Sequence, residues 1–411
     1  MGIVVQKFGG TSVADAVKIR KAAQRAIDAA KKGNNVVVVA SARGKQTDHL
    51  IADAMELNSN PPRREMDQLL STGEQQTVSL MAIAMHGMGQ KAVSMTGGQI
   101  GMRTDSVFSK ARIQSIDAQK IHAEFDKGNI VIVAGFQGID ENGNTTTLGR
   151  GGSDTSAVAL AAALKADVCE IYTDVDGIYT ADPRVYKKAI KMKQISYDEI
   201  LELASLGAGV MHGRSIEFGK KYDVTIHVRS SLVDIEGTLI THEVPQMEGI
   251  LVSGATSQKN LAKIGLIGVE NTPGTAAKIF AHLAGAKVSV NDIIQTEVSK
   301  EKANLSFTVG NSDLLDAKTA IEELKSSIKY DKIFIREDIA EISVVGVGMR
   351  SHYGVANKMF DALAKAKVNI DSITTSEIRI SCIVDEDQAE TALIAVCDAF
   401  ELDKPAEKRS K

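Results

Sequence analysis

Short apolar runs alternate with amphipathic stretches through the first half of the chain. Five runs rich in β-branched residues are typical of buried strands and cover Ile3–Phe8, Val36–Ala40, Ala92–Met95, Ile130–Ala134 and Val168–Thr173. Between them, apolar positions at helical spacing predict helices over Asp15–Ala30, Asp67–Met85 and Ser153–Leu164. This alternation predicts an α/β sandwich with a mostly parallel sheet. Ligands in such folds bind beyond the carboxyl ends of the strands, so the loops after these runs are candidate sites.

The second half of the chain carries an internal repeat between segments 264–293 and 342–373. At an offset of 80 residues, Gly274, Ala276, Lys278, Phe280, Leu283, Ala284, Ala286, Lys287, Val288 and Ile293 recur as Gly354, Ala356, Lys358, Phe360, Leu363, Ala364, Ala366, Lys367, Val368 and Ile373. Each copy has the order strand, Gly-containing turn, helix, strand, strand and helix, which predicts two small α+β modules. We expect a paired ligand-binding or dimerising unit that begins after a boundary near Pro245. The charged tail Asp403–Lys411 is predicted to be disordered.

Composition and charge narrow the class of protein. The chain has 411 residues, enough for two or three domains, with 44% hydrophobic and 24% charged residues. A formal net charge of −4 gives no field that would attract nucleic acid or an anionic membrane, so neither is an expected partner. No apolar run approaches the roughly 18 residues that span a bilayer. Cys169, Cys382 and Cys397 form no CxxC pair, and together with an N-terminus that lacks a leader they predict a reduced, cytoplasmic compartment.

The loop after the first predicted strand, from Lys7 to Ser12, reads KFGGTS. Two glycines let the backbone approach a ligand closely, and backbone N–H groups with a lysine suit a phosphate. The sequence lacks both the GxxxxGK[ST] pattern of a Walker A loop and the GxGxxG pattern of a dinucleotide site. The loop therefore predicts phosphate binding, with a plain strand-to-helix turn and a solvated Lys7 as the alternative.

A second glycine-rich loop, from Gly149 to Thr155, reads GRGGSDT and opens a predicted helix. Arg150 can clamp a carboxylate or a phosphate through two parallel hydrogen bonds. Asp154 lies near the helix N-terminus, where an aspartate also serves as a cap, so capping is its alternative role. The concentration of glycine, arginine, serine and aspartate in one turn favours an anion site.

A third loop, from Thr173 to Arg184, reads TDVDGIYTADPR and follows the fifth predicted strand. Its aspartates are typical of a metal or ribose site, with an Asp-rich turn as the alternative. An EF-hand is disfavoured because Arg184 stands where the final glutamate would be. The basic cluster that follows is typical of a solvated face and consists of Arg184, Lys187, Lys188, Lys191 and Lys193.

Two further positions attract no functional prediction from their own context. Glu74 lies in a helical stretch, where an exposed glutamate is the common case, and Thr47 lies in loop-like sequence after Ser41. The eight histidines show no HExxH or other ligand spacing, and no GxSxG elbow occurs. Zinc and hydrolase chemistry are therefore disfavoured.

Taken together, these loops resemble those of the aspartokinases in the amino-acid kinase family. The resemblance runs from Lys7 to about Phe400, and its most specific pieces are KFGGTS, GRGGSDT and TDVDGIYTADPR. The segment NIDSITTSEIRIS at Asn369–Ser381 is similar to the effector segment of that family's second ACT domain. The resemblance implies an α/β, three-layer amino-acid-kinase sandwich over residues 1–245, followed by two α+β ACT-type modules at residues 262–337 and 340–400.

The resemblance implies phosphorylation of the β-carboxylate of L-aspartate by ATP with Mg²⁺, the first step toward lysine, threonine and methionine. Its catalytic residues would be Lys7, Arg150 and Asp154, with Asp154 organising the lysine. Its substrate-binding residues would be Ser41, Thr47, Glu74, Arg150, Gly151, Gly152 and Ser153. Its ATP-binding residues would be Lys7, Gly9, Gly10, Thr173, Asp174, Tyr179, Asp182 and Arg184. Its effector-binding residues would be Asn271, Ala276, Asn291, Gln295, Asn369, Ile370, Thr375 and Ser376. No residue is implied as a metal ligand.

The chemistry of the reaction agrees with these residue types. A substrate carboxylate has a reference pKa near 4 and attacks already ionised, so no general base is needed. In-line phosphoryl transfer instead needs positioning and charge neutralisation, which Lys7, Arg150, Mg²⁺ and loop N–H groups would supply. The chain departs from the family at Gly209, where a nucleotide-contacting lysine is usual, in the effector segment around Asn291, and at Tyr353, where proline is usual.

The same resemblance implies lysine, threonine or both as allosteric effectors and a homo-oligomer formed through the ACT-type modules. Some relatives also make the regulatory half separately from an internal start, and Met247 lies at a suitable place. Two other functions stay open. A different amino-acid kinase is disfavoured by the paired modules, and a non-catalytic amino-acid sensor with a decayed kinase domain is disfavoured by the intact loops.

Overall fold

The computed structural model describes residues 2–207, 209, 211–242, 251–350 and 352–409. Contacts between residues divide the chain into two compact units, one made of residues 1–179 and 191–245 and the other of residues 180–190 and 246–411. The segment 180–190 thus belongs to the second unit although it lies inside the predicted catalytic span of 1–245. Pro245 and Met247 lie outside the described residues, and the spans 1–245, 262–337 and 340–400 stay predictions.

The first unit alternates strands and helices along most of its length. Its strands are β1 (Ile3–Phe8), β2 (Asn35–Ala40), β3 (Ala92–Met95), β4 (Arg103–Thr104), β5 (Ile113–Ser115), β6 (Ile130–Ala134), β7 (Gln137–Ile139), β8 (Thr145–Thr147), β9 (Val168–Thr173), β10 (Gln194–Ser196), β11 (Ile226–Ser230) and β12 (Thr238–Thr241). Its helices are α1 (Ala16–Lys31), α2 (Gln46–Leu57), α3 (Arg63–Gly87), α4 (Ala118–Phe125), α5 (Gly152–Leu164), α6 (Tyr197–Ser205) and α7 (Gly213–Tyr222).

The main sheet of this unit has the order β10-β12-β11-β9-β1-β2-β6-β3, and its pairs are parallel except for β11 with β12. All five apolar runs form strands of this sheet, because helices bury both of its faces. α1 and α3 pack on one face around Phe8, Val38 and Ile132. α5 packs on the other face, against β1, β2 and β9. The mostly parallel, three-layer sandwich is therefore confirmed.

Several local features differ from the predicted ones. α1 begins at Ala16 because Asp15 is its N-cap and accepts a hydrogen bond from the Lys18 N–H at 2.9 Å. α3 begins at Arg63, earlier than expected. The prediction that Thr47 lies in a loop is wrong, since it is the second residue of α2. A small sheet of order β5-β4-β7-β8 was not predicted, because its strands have only two or three residues.

The second unit has a six-stranded sheet of order β14-β15-β13-β16-β18-β17. Its strands are β13 (Gly254–Glu270), β14 (Val290–Glu297), β15 (Lys302–Gly310), β16 (Lys332–Val345), β17 (Ser372–Thr375) and β18 (Arg379–Asp385), and its helices are α8 (Thr275–Gly285), α9 (Leu314–Glu323), α10 (Val355–Lys365) and α11 (Ala389–Ala399). Each copy of the repeat supplies strand, helix, two strands and helix in the predicted order. The long strands β13 and β16 pair along their length, from Gly254 with Val345 to Ile267 with Lys332.

Each copy of the repeat has its own hydrophobic core, one around Phe307 and one around Met359. The segment 180–190 joins the second of these cores through Ala181 and Tyr186, and the Thr180 hydroxyl donates to the Leu402 carbonyl at 2.8 Å. The tail is ordered as far as the structure describes it, which corrects the expected disorder up to residue 409. None of the described helices has the length and apolar character needed to cross a membrane.

Candidate functional site

Four neighbouring parallel strands, β9, β1, β2 and β6, end at the same edge of the main sheet. Backbone hydrogen bonds tie the following loops to the adjacent strand ends: Gly9 N–H to Tyr172 O at 3.4 Å, Ser41 N–H to Phe8 O at 3.1 Å and Gly135 N–H to Ala40 O at 3.1 Å. The sheet therefore places the KFGGTS loop between the Ser41 loop and the start of the Thr173 loop. This edge is where a parallel α/β sheet binds its ligands.

Lys7 and Asp154 form a buried ion pair at this edge. Lys7 lies near the end of β1 and is only 8% exposed. Its Nζ is 2.6 Å from Oδ1 of Asp154, in the first turn of α5. The alternative roles for these residues do not hold, since Lys7 is not solvated and the N-cap of α5 is Gly151, with no capping bond from Asp154. The pair keeps an ammonium group in place at the ends of the strands.

Gly9 and Gly10 leave space in front of this ammonium group. A Cβ atom on Gly9 would lie 3.5 Å from Lys7 Nζ, and one on Gly10 would lie 2.6 Å from the Ala42 carbonyl oxygen. The Gly44 N–H donates to the Gly10 carbonyl at 2.9 Å, which packs the two loops together. Only glycine fits at position 10, and the resulting close approach of backbone and lysine suits a phosphate group.

Glu74 is buried in α3 and only 3% exposed, so the expectation of an exposed helical glutamate is wrong. Its Oε1 accepts a hydrogen bond from the Ala42 N–H at 3.0 Å, and its Oε2 has no protein partner among the described residues. Burial raises the pKa of Glu74 to about 7, although the hydrogen bond from Ala42 acts in the opposite direction. A buried carboxylate with one unused oxygen is suited to binding a cationic group.

The Arg150 loop joins β8 to α5 through two left-handed glycines, Gly149 at φ 78° and Gly151 at φ 69°. A Cβ atom on Gly151 would lie 2.3 Å from the Cβ of His212, so only glycine fits there. Ser153 packs against Gly135, just beyond the end of β6. Arg150 itself is exposed and has no acidic partner among the described residues. Its guanidinium group is therefore available to an anionic ligand.

The third loop is divided between the two units. Thr173 ends β9 in the first unit, where its hydroxyl donates to Asp174 at 3.1 Å, and Tyr179 is partly buried in the same unit. Asp182 and Arg184 belong to the second unit and pair with each other at 2.7 Å. The hydrogen bond from Arg184 lowers the pKa of Asp182, while partial burial acts in the opposite direction.

Several charged side chains of the third loop and of the basic cluster that follows it pair with oppositely charged groups of the protein. In the parts of the chain that the structure describes, no group of three or more His, Cys, Asp or Glu side chains converges as a metal site would. Lys191 pairs with Asp176 at 3.3 Å, and Lys188 pairs with Asp398 at 3.3 Å. These charges are thus at least partly compensated within the protein.

The predicted effector residues all lie in the second unit, on the edge strands β14 and β17 and on neighbouring turns and helices. Asn291, Gln295 and Thr375 are exposed on these strands. The others are Asn271, Ala276, Asn369, Ile370 and Ser376. The Thr374 hydroxyl donates to Asp292 at 3.1 Å, which brings the two edge strands together. A groove of about 1040 Å³ in this unit is lined by other residues, including Arg336 and Asp385.

Two residues beside the Arg150 loop were not predicted. Asp67 on α3 accepts hydrogen bonds from Ser109 and Thr147, and Arg214 on α7 donates to backbone carbonyls next to them. Neither belongs to a recognisable motif, and their partners are distant in sequence. The one sequence signal that could have indicated Asp67 is its position two helical turns before Glu74, on the same face of α3.

Comparisons with known proteins agree with this geometry. Residues 2–230 match the amino acid kinase family, and residues 264–324 and 342–400 match the ACT domain. The chain is 47% identical to an aspartokinase of Bacillus sp. (strain MGA3) over 411 residues, covering 100% of both chains. It is 47% identical to aspartokinase 2 of Bacillus subtilis, covering 98% of this chain and 99% of that one.

Among solved structures, the chain is similar to Escherichia coli aspartokinase III in complex with aspartate and ADP, with a TM-score of 0.80 and 26% identity over 97% of this chain and 100% of that one. It is also similar to the same enzyme in complex with lysine and aspartate, with a TM-score of 0.79 and 26% identity over 96% of this chain and 99% of that one. The chain therefore belongs to the amino acid kinase family and, within it, to the aspartokinases.

Proposed function

We propose that the enzyme transfers the γ-phosphoryl group of ATP to the β-carboxylate of L-aspartate, giving 4-phospho-L-aspartate and ADP. This reaction is the first step toward lysine, threonine and methionine. The observation that carries the assignment is the buried Lys7–Asp154 pair, 2.6 Å apart, beside the Gly9–Gly10 backbone at the edge of the parallel sheet. The complex of the Escherichia coli relative with aspartate and ADP agrees with it.

The aspartate pocket would lie between α3, the Ser41 loop and the Arg150 loop. Glu74 would pair with the α-ammonium group of aspartate through its unused Oε2, which lies in a buried environment. Arg150 would bind a substrate carboxylate, with Gly151, Gly152 and Ser153 lining it. Ser41 and Thr47 would complete the pocket, and the place of Thr47 in the first turn of α2 supports this role.

The phosphates of ATP would lie on the Gly9–Gly10 backbone against Lys7. Thr173, Asp174, Tyr179, Asp182 and Arg184 are the residues proposed to contact the remainder of the nucleotide. The donor set of glycine N–H groups and one ammonium group fits a phosphate chain. A Mg²⁺ ion would enter this site together with the phosphates of ATP. When bound, Mg²⁺ neutralises charge on the transferring phosphates.

Catalysis would then depend on positioning and electrostatics. The β-carboxylate of aspartate is ionised at neutral pH and needs no base to attack. Arg150 and Glu74 would orient it, while Lys7 would stabilise negative charge that moves toward the leaving ADP. Asp154 would hold the Lys7 side chain in place through their short ion pair.

Regulation and assembly are further parts of the proposal. We expect lysine, threonine or both to inhibit by binding near the edge strands β14 and β17, at the effector residues named above. The lysine complex of Escherichia coli aspartokinase III supports lysine as an effector. A homo-oligomer through the ACT-type modules, and a separate regulatory subunit starting near Met247, are expected from the family resemblance. The three buried, unpaired cysteines support a cytoplasmic location.

A coupled assay of ADP release tests the reaction. With L-aspartate the enzyme should release ADP, whereas with L-glutamate it should not. Lys7→Ala should lower kcat by about 10²–10³, because one transition-state contact is lost, with a smaller change in the KM of aspartate. Lys31→Ala, at the exposed end of α1, is the matched control and should retain wild-type kcat.

Each contrary result has a different meaning. Near-normal kcat in Lys7→Ala would overturn the role of Lys7. Release of ADP with glutamate rather than aspartate would indicate another amino-acid kinase. Absence of turnover with both acids, in a protein that still binds lysine or threonine, would favour the non-catalytic sensor.

A further inference from the structure

Among the described residues, no hydrogen bond or ion pair fixes the position of the Arg150 side chain. It is exposed, lacks an acidic partner among the described residues, and is flanked by the left-handed residues Gly149 and Gly151. Both glycines have left-handed backbones, which glycine adopts without the steric cost of a Cβ atom. The direction in which Arg150 projects therefore depends on where the loop leaves β8, at Thr147 and Leu148.

Asp67 holds this point from the side of α3. It is completely buried, and each of its two carboxylate oxygens accepts two hydrogen bonds. Oδ2 accepts from the Thr147 N–H at 2.7 Å and from the Ser109 N–H at 2.9 Å. Oδ1 accepts from the Thr147 hydroxyl at 2.8 Å and from the Ser109 hydroxyl at 3.2 Å. Since Ser109 itself has a left-handed backbone at φ 69°, the carboxylate also stabilises the segment against which Gly149 packs.

Arg214 holds the same point from the side of α7. Its Nη1 donates to the Leu148 carbonyl at 2.7 Å, and its Nη2 donates to the Ala111 carbonyl at 2.8 Å. Burial, together with the nearby Arg112, lowers the pKa of the Arg214 guanidinium. In the described parts of the chain no carboxylate pairs with it. Placing a partly buried cation on two backbone carbonyls costs desolvation free energy. This cost points to a role in positioning the end of the strand.

These two contacts act on consecutive residues. Asp67 accepts from the N–H of Thr147, and Arg214 donates to the carbonyl of Leu148, so an anion and a cation fix the chain directly before Gly149. We propose that Asp67 and Arg214 are positioning residues of the phosphoryl-transfer site that place Arg150 against the substrate carboxylate. The inference rests on the proposed role of Arg150. It also explains why α3 carries Asp67 and Glu74 on one face, since one helix then sets both ends of the bound aspartate.

A double-mutant cycle on the full-length enzyme tests this proposal. Asp67→Asn keeps the shape but presents an N–H donor to groups that are themselves donors. Because the loop is then released, we expect the KM of aspartate to rise about tenfold and the KM of ATP to stay within twofold. Arg150→Ala should raise the KM of aspartate by itself. In the Arg150→Ala background, Asp67→Asn should change that KM by less than twofold, because its effect passes through Arg150.

Asp140 provides a matched control. It is also buried, and it accepts hydrogen bonds from the Asn142 N–H at 3.0 Å and the Asn144 N–H at 2.8 Å. These bonds close the turn before β8, at the opposite end of that strand from Arg150. Asp140→Asn should therefore lower the melting temperature as Asp67→Asn does, yet leave the KM of aspartate within twofold. Arg214→Lys, which keeps the charge but loses the two-carbonyl geometry, should raise the KM of aspartate about threefold.

The possible results separate the proposal from the function on which it rests. Suppose that Arg150→Ala raises the KM of aspartate, and that Asp67→Asn raises it in this background by the same factor as in the wild type. Asp67 then does not act through Arg150, and the proposal is wrong. An unchanged KM in Asp67→Asn would contradict the proposal as well. If Arg150→Ala has no effect on KM, the substrate role of Arg150 is wrong and the proposal falls with it. Should Asp67→Asn fail to fold, Thr147→Val removes one of the four bonds and should raise the KM about threefold.

Discussion

At the scale of single residues, Glu74 connects burial to pH dependence. Its carboxyl group has a pKa raised to about 7 by burial, and the proposed ammonium partner binds only the ionised form. The KM of aspartate should therefore be constant above about pH 8 and rise up to tenfold per pH unit below about pH 7, while the KM of ATP stays flat. Steady-state kinetics between pH 6 and 9 measure both.

The variant Glu74→Gln separates the charge from the shape. Glutamine can still accept from the Ala42 N–H, so the fold should be kept, but the ammonium partner is lost. We expect a KM for aspartate that is high and independent of pH. The melting temperature at pH 8 should exceed that of the wild type, because no ionised carboxylate is then buried. A pH-dependent KM that persists in Glu74→Gln would assign the titration to another group.

Gly209 allows a second test at this scale, because the family resemblance implies a nucleotide-contacting lysine there. A Cβ atom at Gly209 would have the Gly207 carbonyl oxygen as its nearest described neighbour, at 3.9 Å, so a side chain fits. Gly209→Lys should lower the KM of ATP several-fold by adding a cation near the phosphates. Gly209→Ala is the control and should leave the KM of ATP unchanged. An unaltered KM in the lysine variant would mean that position 209 does not face the nucleotide.

At the scale of elements, the Arg150 loop and α7 each contain a glycine, and replacement by alanine should affect stability in opposite directions at the two positions. Gly151 has φ 69° and lies against His212, whereas Gly213 begins α7 with no atom within 4 Å of a Cβ position. Gly151→Ala should lower the free energy of unfolding by about 2 kcal/mol or more and reduce kcat/KM for aspartate. Gly213→Ala should raise the free energy of unfolding by about 0.5–1 kcal/mol. Denaturant unfolding and kinetics of both variants test this contrast.

An element could be predicted from the sequence where neighbouring residues alone determine it, and not where contacts between distant parts of the chain do. The strands β2 and β6 were predicted because continuous burial on both faces requires continuous apolar sequence. The short strands of the second sheet of the first unit contain too few residues for a pattern. The burial of Glu74 and Asp67 could not be predicted, since both depend on partners brought near by the tertiary fold. The glycine-rich loops could be predicted because glycine itself indicates a backbone with positive φ or a close approach to a neighbouring group.

At the scale of the whole molecule, the enzyme combines a catalytic unit with a repeated module that is expected to bind effectors. A bound amino acid inhibits only if it favours one arrangement of the protein, typically by about 1–3 kcal/mol. Thr375→Ile places a larger apolar side chain at an exposed position of β17. It should raise the lysine or threonine concentration for half-inhibition more than tenfold. Thr319→Ile, exposed on α9, is the control and should leave inhibition intact.

If the wild-type enzyme shows no inhibition in millimolar lysine plus threonine, the regulatory assignment fails for these effectors. The kinase assignment does not depend on that result. If Thr319→Ile and Thr375→Ile lose inhibition equally, the effect is a general disturbance of the second unit rather than a change in the proposed effector site.

The pairing of β13 with β16 also has a kinetic consequence. The beginning of β13, from Gly254, pairs with the end of β16 at Val345, so this contact closes a loop that contains the entire first copy of the repeat. Closing so long a loop is slow and entropically costly, and it is favoured only after the intervening copy has become compact. In a refolding experiment followed by pulsed hydrogen exchange, the amide protons of residues 254–258 should therefore become protected last in the second unit. A regulatory fragment that began after residue 258 would lack this closing strand and leave the edge of its partner strand open to aggregation.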